Sequence, residues 1–212
     1  MAEARRETIH LKDYTPFPWI VEAVELTFLL RPEGTRVSSR IRFRPNPGHW
    51  PGRFFLHGED LRLIEARIDG MPVSPEITPE GLTCEVPARA FTWDAVVEID
   101  PARNTRLEGL YLSKGMYCTQ CEAEGFRRIT YYPDRPDVLA PFRVRIESDL
   151  PVMLSNGKSR RLRPRLGGMV RSLAQALLSL RAGCRRSDPA SRQFHHPVRP
   201  SCGSGRLGAR GR

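Results

Sequence analysis

Two neighbouring segments near the start of the chain alternate between apolar and polar residues with a period of two. In residues 21–31, one set of alternate positions is apolar: Val24, Leu26, Phe28 and Leu30. In residues 36–44, the alternate positions are Val37, Ser39, Ile41 and Phe43, of which all but Ser39 are apolar. Successive side chains of a strand point to opposite faces, so both segments are predicted to be half-buried strands. Residues 32–35 (PEGT) favour a tight hairpin between them.

Five further segments are rich in β-branched and aromatic residues and are separated by Pro and Gly. They are residues 53–56, 61–68, 82–86, 95–99 and 142–147. Helical periodicity is hard to find between residues 20 and 154. About seven short strands without intervening helices predict an all-β fold with an antiparallel, sandwich-like sheet architecture.

The positive charge of the chain is confined to its last quarter. Residues 160–212 contain thirteen arginines, no lysine and one acid, Asp188, which is a net charge of +12. Because the whole chain carries +10, residues 1–159 carry −2. We therefore divide the chain into a β domain (residues 1–157) and an Arg/Gly/Pro-rich tail (residues 158–212). Within the tail only residues 169–180 have helical spacing, and the remainder is predicted to be disordered.

Two explanations of the tail stay open at this stage. It is either a basic interaction segment for anionic partners or the product of a reading frame lost near Lys158, because GC-rich DNA read out of frame encodes such a composition. We favour the second explanation, and nucleic acid is not favoured as a partner.

Several other classes of protein are disfavoured by composition. No apolar run is long enough to cross a bilayer, and the polar first residues lack the apolar region of a secretory signal. Five irregularly spaced cysteines fit reduced thiols better than a disulfide framework. A cytoplasmic protein without a membrane partner is expected.

Residues 107–139 contain the groups with the most chemical potential. Cys118 and Cys121 form a Cys-x-x-Cys pair, which is half of a zinc site or a redox pair in other proteins, but no second pair accompanies it, so two structural thiols are favoured. Gln120, Glu122 and Glu124 share one face if the strand is regular. Glu122 and Glu124 are either an acid/base pair or part of an ordinary solvated face, and the residues alone favour the latter.

The same region resembles a known family. The segments TQCEAEGFR and YYPDRPDV, with LHGEDLRLIEARIDG upstream and LSNG downstream, are similar to the N-terminal domain of bacterial aminopeptidase N, a gluzincin zinc metallopeptidase. The likeness covers residues 14–157. It implies a saddle-like β domain that packs on a thermolysin-like catalytic domain. It also implies that Gln120 and Glu122 bind the α-amino group of a substrate, and that the peptide bond between Glu122 and Ala123 is cis.

The sequence also departs from that family. None of its five histidines begins the His-Glu-x-x-His motif that binds zinc, and the Gly-x-Met-Glu-Asn loop is missing. We therefore assign no catalytic residue, no metal ligand and no cofactor to this chain, with zinc belonging to the full-length family. The resemblance implies peptide N-termini and the missing catalytic domain as partners, and the chain alone is predicted to be inactive. The alternative is a stand-alone β binding module whose tail engages nucleic acid or acidic partners.

Overall fold

Strands account for nearly all of the regular structure in the computed structural model, which describes residues 11–150 and the segments 153–155, 158–161, 168–173 and 180–182. In chain order they are β1 (Trp19–Leu29), β2 (Thr35–Pro45), β3 (Phe55–His57), β4 (Arg62–Ile68), β5 (Met71–Pro72), β6 (Glu76–Thr78), β7 (Gly81–Thr83), β8 (Phe91–Ile99), β9 (Gly109–Ser113), β10 (Met116–Gln120), β11 (Phe142–Glu147), β12 (Met153–Ser155), β13 (Lys158–Arg161), β14 (Gly168–Leu173) and β15 (Leu180–Ala182). Two 3₁₀ turns, Leu11–Asp13 and Phe126–Arg128, are the helical segments of this part of the chain. The predicted all-β fold is confirmed.

The largest sheet has eight strands in the order β13-β14-β11-β1-β2-β8-β4-β5. The predicted hairpin of β1 and β2 lies at its centre, with Phe28 opposite Val37. Its turn contains Gly34 at a φ of 67°, a left-handed conformation that glycine adopts without steric cost. The local pattern of residues 21–44 therefore produces the core of the sheet.

One strand pair departs from the predicted antiparallel arrangement, because β1 and β11 are parallel, with Val24 opposite Phe142. A parallel pair cannot be joined by a tight turn, and here more than a hundred residues separate the two strands. Local patterning identifies β11 as a strand but contains no information on its direction. That direction is decided by the long path through the smaller sheets.

One face of the large sheet packs against the hydrophobic core. The apolar sets of both hairpin strands are buried, and Ser39 is buried with them. Aromatic rings pack together in this core, where Phe54, the residue before β3, makes edge contacts with Trp19 and Phe43 at centroid distances of 6.0 and 5.1 Å. Rings in such edge-to-face pairs attract each other in addition to the gain from burial.

The opposite face is polar and held by ion pairs between strands. The Glu98 carboxylate contacts both Arg36, at 3.6 Å, and Arg62, and Arg40 lies 2.6 Å from Asp94. The arginines are well exposed, so each pair contributes at most about 1 kcal/mol. The residues of this face are the polar positions of the alternating pattern in the sequence, and their ion pairs add little to stability.

Two smaller sheets cover the core. One has the order β3-β7-β6, and the other has the order β12-β15-β10-β9. The first sheet is linked to the segment after β10, because His57 and Tyr132 exchange backbone hydrogen bonds of 2.9 and 3.1 Å. This link brings residues 107–134 against the loop between β3 and β4.

The helix predicted for residues 169–180 is wrong where the structure describes that segment. Residues 168–173 form β14, which pairs with β11, and β15 begins at residue 180. An open edge of β11 offers unpaired backbone groups, and their hydrogen bonds override a weak helical period. Most of the tail, and therefore its predicted disorder, lies outside the described residues. Among the described residues, no helix is long and apolar enough to span a membrane.

Candidate functional site

The candidate site lies at the end of a hairpin. Strands β9 and β10 are joined by Lys114 and Gly115, whose φ angles of 50° and 78° are those of a tight two-residue turn. Strand β10 ends at Gln120, which pairs with Gly109 at the start of β9. Gln120 is exposed at this end of the sheet.

The chain leaves the sheet directly after Gln120. Cys121 is buried, the peptide bond between Glu122 and Ala123 is cis as the resemblance implies, and the amide of Gly125 donates to the Cys121 carbonyl at 2.9 Å. A regular strand does not continue, so Gln120, Glu122 and Glu124 do not share a strand face. The turn nevertheless brings the first two together.

Gln120 and Glu122 form the polar tip of this turn. The Gln120 Nε2 donates to the Glu122 carbonyl at 3.3 Å, which leaves the amide oxygen as an acceptor. Glu122 is exposed, and among the described residues no cation pairs with its carboxylate. The tip thus carries one full negative charge and one neutral acceptor, the combination that binds an ammonium group.

Two glycines allow the turn to pack against the hairpin. A Cβ added to Gly125 would lie 2.4 Å from the Gln120 carbonyl oxygen, and one added to Gly109 would lie 2.7 Å from the Cβ of Arg128. Both distances are shorter than van der Waals contact. Any side chain at residue 125 must therefore displace the backbone of the tip.

Arg128 anchors the turn from below. Its side chain is 7% exposed, and the guanidinium group contacts three carboxylates, those of Glu59, Asp60 and Glu108, the last at 3.2 Å. A buried charge that loses its partners is strongly destabilising, so these contacts decide where the turn sits.

Arg127 makes a second set of contacts beside the first. It lies 3.2 Å from both Glu124 and Asp134 and 3.7 Å from Glu59. Its backbone takes part as well, since its amide donates to Asp134 at 3.0 Å and its carbonyl accepts from the Glu59 amide at 3.0 Å. The two arginines therefore tie the turn to three separate segments.

His57 completes this network. Its Nδ1 accepts a hydrogen bond of 3.2 Å from the Asp134 amide, which requires the neutral imidazole. Burial, followed by the nearby Arg127 charge, holds the pKa of His57 below its ordinary value. The histidine thus acts as a structural acceptor here.

The two cysteines of the predicted Cys-x-x-Cys pair lie on either side of the end of β10, one within the strand and one directly after it. Cys118 is half-buried in β10, and Cys121 is buried. Among the described residues, no three His, Cys, Asp or Glu side chains are grouped so that they could hold a metal. Cys118 and Cys121 therefore do not belong to a zinc site within the described part of the chain.

Sequence reasoning missed the anchors of the site. Arg127, Arg128 and Glu59 did not stand out, because single charged residues on a chain are usually solvated. The available signal was a pair of adjacent arginines that begins two residues after a Gly. Their partners are distant in sequence, since Asp60 and Arg128 are 68 positions apart, so only folding reveals them.

Comparisons with known proteins show the family to which this domain belongs. The model of the Peptidase M1 N-terminal domain matches residues 96–166. Aminopeptidase N of Caulobacter vibrioides is 47% identical over 156 residues, which is 71% of this chain. The chain carries an M1 peptidase N-terminal domain. Aminopeptidase N of Escherichia coli is 43% identical over 150 residues, or 68% of this chain.

Solved structures of M1 N-terminal domains have the same fold. The aminopeptidase A of Legionella pneumophila, solved in complex with aspartic acid, superposes with a TM-score of 0.70 at 28% identity over 82% of this chain. An M1 zinc metallopeptidase from Deinococcus radiodurans reaches 0.61 at 18% identity over 78% of the chain, which supports the fold alone. This chain spans 18% and 17% of the two curated relatives, and 22% and 42% of the two solved chains.

Proposed function

We propose that this M1 N-terminal domain supplies the amine-binding part of a zinc aminopeptidase, with Gln120 and Glu122 holding the α-ammonium group of a peptide. The observation that carries the proposal is the exposed tip itself. The Gln120 side chain is bonded to the Glu122 backbone at 3.3 Å, so two acceptor groups are held on one short turn. A carboxylate forms charge-assisted hydrogen bonds with an ammonium group, and these are stronger than bonds between neutral groups.

The chemistry of the tip selects a chain terminus. At neutral pH a peptide α-amino group is largely protonated, whereas an internal peptide nitrogen is neutral. A carboxylate at the tip therefore favours the first residue of a peptide over its interior. The Legionella relative was solved with an amino acid, aspartic acid, which is in keeping with this class of ligand.

The test is a titration of the chain with alanine amide, monitored by NMR at the backbone amides of the tip and the side-chain amide of Gln120. We expect saturable shifts at these groups, with a dissociation constant on the order of millimolar for so few contacts. N-acetylalanine amide keeps the side chain and the terminal amide but has an acetyl group in place of the ammonium charge, and it is the comparison ligand, so equal shifts with both would contradict the proposal.

Variants assign the binding to the two residues. Glu122→Gln keeps the size of the side chain and removes its charge, so it is expected to abolish measurable binding. Gln120→Leu removes an acceptor and is expected to weaken binding several-fold. Unchanged binding in both variants would assign the ligand to another surface.

Hydrolysis is assigned to the rest of such an enzyme. The sequence has no His-Glu-x-x-His motif, so the chain contains no zinc-bound water to attack a peptide bond. Purified chain with added zinc is therefore expected to leave alanyl-p-nitroanilide intact. Chelator-sensitive release of nitroaniline would overturn this expectation.

A further inference from the structure

A cavity of about 410 Å³ lies between the segment before β1 and the loop before β3. Arg53 and His57 both line it, and we call it the Arg53 cavity. Neither Gln120 nor Glu122 is among its lining residues. Cavities that bind small molecules begin at about 300 Å³, so this one is large enough for a small organic ligand.

The walls of the Arg53 cavity are largely apolar. They consist of two aromatic rings and three prolines, which are Phe17, Phe55, Pro16, Pro18 and Pro51. A Cβ added to Gly52 would lie 2.5 Å from the Cβ of Pro18, so the two segments that form the walls meet without space for a side chain. The apolar part of a ligand therefore has a preformed surface on which to pack.

Arg53 adds a cation to these walls. Its guanidinium carbon lies 5.3 Å from the centroid of the Phe55 ring, and its Nε donates a long hydrogen bond of 3.4 Å to the Thr83 hydroxyl. These contacts leave both terminal amino groups of the guanidinium unused, and no carboxylate in the described part of the chain pairs with them. Such a fork fits the oxygens of a carboxylate or a phosphate.

His57 supplies a second donor. Because its Nδ1 accepts from the Asp134 amide at 3.2 Å, the neutral ring carries its proton on Nε2. Nε2 has no acceptor among the described residues. The His57 ring lies 5.2 Å from the Phe55 ring, which is therefore flanked by both donors, each just over 5 Å away. One small ligand on Phe55 is close to Arg53 and His57 together.

The remaining polar groups leave Arg53 as the uncompensated charge of the cavity. Arg135 also lines it, but its guanidinium donates two hydrogen bonds, of 2.8 and 3.0 Å, to the Asp137 carboxylate. The exposed ring of His49 has no partner within the described ranges. No Asp or Glu appears among the described residues that line the cavity. An unpaired cation and free ring donors, without a carboxylate, favour an anionic ligand.

We propose that the Arg53 cavity binds a small organic oxyanion. Its carboxylate or phosphate group pairs with the Arg53 guanidinium and accepts a hydrogen bond from Nε2 of His57, and its apolar body packs on Phe55 and the prolines. The inference does not depend on the proposed function, because none of these groups belongs to the tip. With one partly exposed ion pair, the dissociation constant is expected to be on the order of millimolar.

The test titrates the whole chain with benzoate and with phenyl phosphate, monitored by NMR at the backbone amides of Gly52, Arg53 and Phe55. Saturable shifts are expected with at least one of them, and the tighter ligand identifies the anionic group as carboxylate or phosphate. Benzamide has nearly the shape of benzoate without its charge and is expected to give much smaller shifts. Equal shifts with benzamide, or none with either anion, overturn the inference.

Acetate and inorganic phosphate test the role of the apolar walls. Each carries the anionic group of one ligand without its ring, so each is expected to bind more weakly than its aromatic counterpart. If they bind as tightly, the walls do not contribute, and the assignment of the cavity to an organic ligand is wrong.

A matched pair of variants assigns the charge. Arg53→Met keeps an unbranched stem and removes the cation, so it is expected to weaken binding of the tighter anion about fivefold. Arg42→Met is the control, since Arg42 is an exposed arginine in β2 that does not line the cavity, and this variant is expected to bind like the unmodified chain. Equal losses in both would indicate only a change in net charge and overturn the inference.

A conservative variant tests the geometry of the contact. Arg53→Lys retains the charge but not the planar fork, so it is expected to weaken binding by about threefold, less than Arg53→Met does. Arg53 is exposed, and thermal melts of both variants are expected to match the unmodified chain. Unchanged anion binding in both Arg53 variants overturns the inference and leaves the proposed function of the tip untouched.

Discussion

The centre of the large sheet and the turn after β10 are stabilised in different ways. In the sheet, β1 and β2 bury a continuous apolar face and pair along their whole lengths. In the turn, stability depends on two arginines, five carboxylates and two glycines whose backbones approach closely. Burial of apolar area is tolerant of small changes, whereas an ion network fails when one partner is lost. The candidate functional groups, Gln120 and Glu122, lie in the less tolerant region.

The largest expected effect tests the sheet side of this comparison. Phe28 is fully buried in β1, so Phe28→Ala is expected to cost about 3 to 5 kcal/mol of unfolding free energy, because it removes apolar contacts and leaves a cavity. Thr27→Ala, on the opposite face of the same strand, is the control and is expected to cost under about 1 kcal/mol. Urea denaturation followed by tryptophan fluorescence measures both. Equal costs would break the assignment of the inner face.

A smaller effect is expected from crowding in the turn. Gly125→Ala places a Cβ 2.4 Å from the Gln120 carbonyl oxygen, so the tip must shift at a cost of about 1 to 3 kcal/mol. Gly115→Ala is the control in the neighbouring hairpin turn, where the added Cβ meets nothing within 4 Å and only the φ of +78° is strained.

Binding distinguishes these two glycine variants more sharply than stability does. Gly125→Ala is expected to weaken binding of alanine amide, whereas Gly115→Ala is expected to leave it unchanged. If both variants bind equally well, the close packing under the tip is not what orders Gln120 and Glu122.

The smallest effect concerns His57, which joins the two regions. Its pKa is lowered in the folded state, mainly by burial and then by Arg127, so the unfolded chain binds the proton more readily. The stability contribution is fully present above the ordinary value of 6.5 and is lost as the pH falls from there toward the lowered value.

A substitution isolates this contribution. His57→Asn keeps a side-chain acceptor near the Asp134 amide but does not titrate, so it is expected to flatten the decline of stability just below pH 6.5. Thermal melts of both proteins between about pH 7 and pH 5 measure the difference. A parallel decline in the two proteins would assign the pH dependence to other groups.

The acid stability of a different segment depends on Asp137, whose pKa is also lowered but which is charged, not neutral, in the form that the fold favours. Burial raises the pKa of Asp137, but its hydrogen bonds from Arg135 and the Phe17 amide outweigh this and hold the pKa below its ordinary value. The stability that Asp137 adds is present above the ordinary carboxyl pKa and is lost only as the pH falls through the lowered one. The network of His57 therefore weakens at a higher pH than the contact of Asp137.

The sequence alone determined where the main strands lie and which side of them is buried. Alternation in residues 21–44 is a local property, because a strand exposes successive side chains to opposite faces whatever the rest of the chain does. Alternation did not identify Gln120 and Glu122 as candidate site residues, since an exposed amide and carboxylate have no distinctive local pattern. Only the family resemblance did so.

Only the tertiary structure decided the direction of β11, the strand at residues 168–173 and the contacts that support the tip. Each depends on groups that are far apart along the chain: an open sheet edge, a parallel neighbour, or a glutamate nearly seventy residues from its arginine. Hydrogen bonds and ion pairs act over a few ångströms, so their partners exist only once the chain is folded. That is why the strands could be predicted from the sequence, whereas the ion pairs that support the turn after β10 could not.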